Sequence, residues 1–205
     1  MLISPSIASS NVLYVAKELD YIDKYFDNVH IDIEDGVAVS SISFGMKMAK
    51  KICEYSKSKE KTIHLEVQNP LNYIDDLLKM SYDVVFLQVS HISDPLEVIK
   101  AFKEKGIVVG INIRVEDTER NNFKELVDCC DYHLVSTTTY RNGFEEYLTK
   151  MEDLAIELAK EKKIWVDGHI DYEKYQRLKD TNIYCAVMGR AIFADEELAI
   201  KQYCS

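Results

Sequence analysis

Eight short apolar runs, each followed by a segment with helical spacing, constrain this chain more than any other feature. The runs cover residues 2–7, 28–33, 62–67, 83–89, 107–113, 132–136, 163–166 and 183–188, at intervals of roughly 20 to 30 residues. Between them, Val12, Val15, Ala16, Leu19, Ile22 and Phe26 fall at helical spacing, and Met151, Leu154, Ala155 and Leu158 form another stripe. Asn69-Pro70 and Asp94-Pro95 each place a capping side chain before a proline suited to a first helical turn. Gly106 marks the end of the helix begun at Pro95. Eight alternating units in 205 residues predict an α/β protein, a single (β/α)8 TIM barrel spanning residues 1–205. The competitor is a doubly wound open sheet, which uses fewer strands and a glycine-rich first turn. Here the first turn is Ser4-Pro5-Ser6-Ile7-Ala8-Ser9-Ser10, without glycine.

Charge and cysteine usage narrow the function. The net charge of −10 argues against nucleic acid as a partner, and no basic cluster offsets it. No apolar run is long enough to span a bilayer, and the N-terminus lacks a signal-peptide pattern. A cytoplasmic protein with no membrane partner is expected. The five cysteines lack metal-ligand spacing and read as reduced thiols.

The second run, Val29 to Gly36, reads VHIDIEDG. Strand side chains alternate between faces. Val29, Ile31 and Ile33 would face the helices, and His30, Asp32 and Glu34 would climb the inner wall toward the C-terminal rim. The third run repeats this, with Ile63, Leu65 and Val67 outward and His64 and Glu66 inward. The seventh ends at Asp167 on the same rim. Burying unpaired carboxylates is costly. Two imidazoles and two carboxylates from this set would suit one divalent ion, Zn2+, Fe2+, Mn2+ or Co2+, with Zn2+ the first choice. A satisfied polar network is the bland alternative.

Taken in order, SPSI at 4–7, HIDIEDG at 30–36, FG at 44–45, HLEVQNPLNYIDDL at 64–77, VDG at 166–168 and MGRAIF at 188–193 resemble the ribulose-phosphate 3-epimerases over nearly the whole chain. The resemblance implies a ribulose-phosphate-binding type of TIM barrel and a metal-dependent isomerase that epimerises a sugar-phosphate substrate beside its ketone. It carries the metal ligands onto His30, Asp32, His64 and Asp167, and the serine of SPSI onto Ser6. Inversion needs one group to remove a proton and another to return it on the opposite face. Asp32 and Asp167 are the candidates. Small barrels of this kind self-associate, so a homo-oligomer is expected.

The departures cluster around the site. Methionines of the family pattern are replaced by Glu34, Glu66 and Ser136. Gly168 and Gly189 are retained in the phosphate loops, but His169 and Arg190 replace neighbouring small residues, and Arg114 and Arg141 lie near the same rim. Arginines can bind an anion bidentately, so these three, with Gly168, His169 and Gly189, form an altered substrate-binding set. The rival readings are other enediolate chemistry on a different sugar, aldolase or decarboxylase chemistry, and a non-catalytic sugar-binding paralogue.

Overall fold

The computed structural model describes residues 1–141 and 144–204, with the side chains of 140, 141 and 144 outside the description. The strands are β1 Leu2–Pro5, β2 Asn28–Glu34, β3 Glu60–Glu66, β4 Val84–Gln88, β5 Val109–Ile113, β6 Tyr132–Ser136, β7 Thr138–Arg141, β8 Phe144–Tyr147, β9 Lys163–Asp167 and β10 Cys185–Met188. Eight of these form one parallel sheet in the order β1-β10-β9-β6-β5-β4-β3-β2. Its two ends meet at a parallel bridge between Ser6 and His30, which completes the barrel. The helices intervening between the strands are α1 Val15–Tyr25, α2 Met46–Tyr55, α3 Ile74–Leu77, α4 Pro95–Glu104, α5 Phe123–Asp128, α6 Thr149–Leu158 and α7 Tyr172–Leu178. Two more, α8 Arg190–Phe193 and α9 Glu196–Tyr203, follow the last strand. This is the (β/α)8 architecture that the eight-run pattern predicts.

The alternation along β2 and β3 separates two apolar layers. Val29, Ile31, Ile33, Ile63 and Leu65 are buried in the shell between sheet and helices. Burying each such side chain contributes about 1.5–3 kcal/mol. A second cluster of Val84, Phe86, Leu134, Trp165, Cys185 and Val187 fills the barrel below the rim. Gly110 on β5 makes room for it, because a Cβ there would lie 2.5 Å from the Tyr132 carbonyl oxygen and 2.8 Å from the Phe86 ring. The His and Asp cluster thus lies on the C-terminal side of an apolar plug.

Local signals fared unevenly. Asp94 caps α4, accepting from the Glu97 N–H at 3.3 Å, and Gly106 follows its end with Ile107 N–H bonded to the Phe102 carbonyl. Asn69 forms no such cap. The chain there makes a short 3-10 turn, Pro70–Tyr73, before α3. Val12 lies in a separate 3-10 turn, Val12–Tyr14, and is exposed rather than on the buried stripe of α1. The antiparallel hairpin β7–β8 is an addition to the eight runs. Among the described residues, no helix is long and apolar enough to cross a membrane.

Candidate active site

Strand register brings the polar residues together. Asp32 on β2 is the direct neighbour of His64 on β3, and Glu34 is the neighbour of Glu66. Ser136 on β6 stands beside Asp167 on β9. One ligand atom from each of His30, Asp32, His64 and Asp167 lies within 4.8 Å of all the others. His30 Nε2 is 3.2 Å from Asp32 Oδ1, and His64 Nδ1 is 3.4 Å from the same oxygen.

These side chains fit a cation better than they fit one another. His30 and His64 are buried, yet His30 Nε2 and both nitrogens of His64 lack a hydrogen-bond partner of acceptable geometry. Such orphaned buried groups are costly. The other nitrogen of His30, Nδ1, lies 2.7 Å from the Thr62 hydroxyl oxygen. When Nδ1–H donates to it, the Nε2 lone pair is presented to the cluster, the usual support of a metal-binding imidazole. Burial alone would lower the pKa of His64, but the carboxylates of Glu66 and Asp32 outweigh it and raise the imidazole to about 9. Carboxylates that favour an imidazolium at this point also favour a metal cation.

The two aspartates occupy contrasting environments. Burial opposes ionisation of Asp32, but His30 and His64 beside it hold its carboxyl well below the usual range. Ser6 Oγ donates to Asp32 Oδ2 at 2.5 Å. Burial, and then the charge of Asp32, push Asp167 up to about 6. Burial also pushes Glu66 up to about 7.

A cavity of about 830 Å³ opens above this floor, lined by Ser6, Asp32, Glu34, Glu66 and Asp167. Gly168, His169, Gly189 and Arg190 form another part of its wall. Ser136 and Arg114 line an adjoining cavity that shares Glu34, Glu66 and Asp167. Asn112 donates to Ser136 Oγ at 2.9 Å. Arg114 Nε lies 2.9 Å from Glu116 Oε1, an ion pair without hydrogen-bond geometry. The side chain of Arg141 lies outside the described residues. Gly168, at φ 113°, packs where a Cβ would lie 2.7 Å from Thr138 Oγ1. His169 has φ 52°, an uncommon conformation for a residue with a Cβ.

Several neighbours have no counterpart in the motif-based set. Glu145 on β8 accepts from Arg190 at 3.0 Å and lies 3.1 Å from His169 Nε2, joining the hairpin to the start of α8 and to the turn after β9. An Asn-Gly pair at 142–143 between two β-prone segments is the sequence signal that announces such a hairpin. Thr137 is buried, and its hydroxyl donates to the carbonyls of Asp167 and Gly168 at 2.9 and 2.6 Å. Asp35 accepts from the N–H groups of Val37, Ala38 and Gln68, tying the turn after β2 to the loop after β3.

Comparisons with known proteins give the family and the fold. A ribulose-phosphate 3-epimerase family model matches residues 2–193. Curated relatives named ribulose-phosphate 3-epimerase include one from Synechocystis sp., 22% identical, covering 94% of this chain and 87% of the relative. Another, from Methanocaldococcus jannaschii, is 23% identical and covers 96% and 86%. Among solved structures, a mutant tryptophan synthase alpha-subunit from Pyrococcus furiosus superposes with TM-score 0.70 at 15% identity, covering 99% of this chain and 96% of that one. N-(5'-phosphoribosyl)anthranilate isomerase from the same organism gives 0.64 at 14% identity, covering 97% and 94%. At those identities the solved structures speak only for the barrel, whereas the family match runs through every strand that carries the His and Asp cluster. With that cluster assembled at its rim, this chain belongs to the ribulose-phosphate 3-epimerase family of carbohydrate isomerases.

Proposed function

We propose that this chain, acting as a single barrel domain, is a metal-dependent epimerase that inverts the carbon beside the ketone of a ketose phosphate. Ribulose 5-phosphate and xylulose 5-phosphate, or a related sugar phosphate, are the proposed substrates. The observation that carries the reading is the meeting of Asp32 and Asp167, on the wall of one open cavity, with the unpartnered His30 Nε2 and the His64 imidazole. His30, Asp32, His64 and Asp167 would hold a divalent ion. When bound, that ion supplies Lewis acidity that makes the proton beside the ketone easier to remove.

The protein's own groups account for the rest. One aspartate takes the proton from one face of the substrate carbon, and the other returns a proton to the opposite face, through an enediolate. The direction of reaction decides which acts first. Thr62 orients His30, Ser6 orients Asp32, and Thr137 holds the backbone of Asp167.

A second reading, related enediolate chemistry on a different sugar, draws support from the cavity wall. Glu34, Glu66 and Glu145 make that wall acidic, and Arg190 is engaged by Glu145. A panel of ketose phosphates in D2O, followed by NMR, tests both readings. Deuterium should enter at the inverted carbon of the true substrate. If no ketose phosphate exchanges or epimerises with metal supplied, the epimerase reading is wrong. Exchange accompanied by a different product would favour the second.

A further inference from the structure

We propose that Ser136 is a catalytic hydroxyl that donates a hydrogen bond to the substrate beside Asp167, and that the buried Asn112 is the positioning residue that aims it. The inference rests on the epimerase reading and deepens it, adding a fixed donor to the two proton carriers. Ser136 ends β6 and is level with Asp167 at the end of β9. Level residues of paired strands share a face, with the strands about 4.8 Å apart. Ser136 also lines the cavity that His64, Glu66 and Asp167 border.

Asn112 is fully buried on β5, level with Leu134, two residues before Ser136 on β6. Its Nδ2 donates to the Leu134 carbonyl at 3.2 Å and to Ser136 Oγ at 2.9 Å. A carbonyl only accepts, so the contact with Leu134 decides which amide atom faces this pair. Both amide protons are thereby committed, and the side chain has one orientation. Its Oδ1 is left buried without a partner. Such an orphan is costly, and an apolar side chain of similar shape would avoid it. What the amide provides against that cost is its hold on Ser136. A hydroxyl both donates and accepts. With its oxygen receiving the Asn112 amide, the Ser136 rotor is fixed and its O–H becomes a stronger donor. No protein acceptor for that proton is found among the described residues, and the open direction is the cavity. As the proton beside the ketone leaves, negative charge develops on the substrate oxygens. A pre-aimed donor stabilises that charge and keeps its own proton. The contact strengthens as charge develops, so it acts on kcat more than on KM.

The test is steady-state kinetics of the full chain supplied with metal, on ribulose 5-phosphate or whichever ketose phosphate exchanges deuterium fastest. Circular dichroism and metal content establish that each variant is folded and loaded. Ser136→Ala should lower kcat by about ten- to a hundredfold, the loss of one hydrogen bond to a charged group, with KM changed far less. Asn112→Leu should lower kcat in the wild-type background and cost nothing further in the Ser136→Ala background, because Asn112 acts through that hydroxyl. Additive losses would overturn the positioning role of Asn112. Wild-type kcat in Ser136→Ala, or a loss confined to KM, would overturn the catalytic role of Ser136, and this comparison decides it even if Asn112→Leu fails to fold. The two levels separate cleanly. A wild-type protein that exchanges deuterium into no ketose phosphate removes the epimerase reading and this role with it, whereas an active wild type matched by Ser136→Ala removes this role alone.

Discussion

Ser6 Oγ donates to Asp32 Oδ2 across 2.5 Å, and Ser6 also forms the backbone bridge to His30 that completes the barrel. One residue thus joins the two ends of the sheet and fixes the orientation of a catalytic candidate. A charge-assisted hydrogen bond of this kind contributes about 1.5–3 kcal/mol.

Ser6→Ala should therefore keep the fold and slow turnover by about tenfold or more, the rate equivalent of roughly 1.4 kcal/mol. Steady-state kinetics alongside metal analysis checks this. An unchanged kcat at full metal content would show that Asp32 needs no such positioning.

Asp32→Asn and Asp167→Asn should each lower epimerisation by about 10² to 10⁴. Each substitution preserves shape and removes a proton carrier. Metal content must be measured for both, since each aspartate is also a candidate ligand. With the ion retained, either variant epimerising at the wild-type rate would remove that residue from the proton-transfer pair.

Thr137→Val should destabilise the protein by about 1–3 kcal/mol. The substitution is close in volume but withdraws the hydroxyl from the carbonyls of Asp167 and Gly168. Turnover should fall too, because the end of β9 loses its anchor. Urea unfolding and kinetics on the same sample would reveal this, and wild-type values in both would refute it.

His133 provides a pH signature away from the active site. It is buried on β6, with Nε2 3.1 Å from the Val127 carbonyl oxygen. Burial, assisted by Lys162, lowers its pKa from 6.5 to about 4. Between those values the unfolded chain takes up a proton that the folded chain refuses. The contribution is thus fully present above pH 6.5, declines as pH falls toward 4, and levels off below that, for a total of about 3 kcal/mol at most. His133→Gln should show a shallower loss of stability over this window by chemical denaturation. Parallel pH profiles for variant and wild type would contradict the assignment.

The barrel was legible in the chain because its signal is local and repeated. Hydrophobic periodicity marks each strand, and Asp94-Pro95 with Gly106 brackets one helix correctly. Asn69 and Val12 show the limit of such signals. Whether a side chain caps, or an apolar residue is covered, depends on where the backbone is drawn by its neighbours. The hairpin β7–β8 carried its own Asn-Gly signal, but its contacts came from Glu145 reaching Arg190 at the start of α8 and His169 after β9.

The same division holds for the site. Alternation along β2 and β3 determined that His30, Asp32, His64 and Glu66 share the inner face of the barrel, since side-chain direction follows strand position. The tertiary structure decided which of them meet. Register set Asp32 beside His64, barrel closure brought Ser6 to Asp32, and β9 delivered Asp167 to the cluster. It also separated Glu34, tied to Ser41, from Glu66, which faces His64. Those outcomes depend on distances between segments far apart in the chain, and a one-dimensional pattern does not contain them.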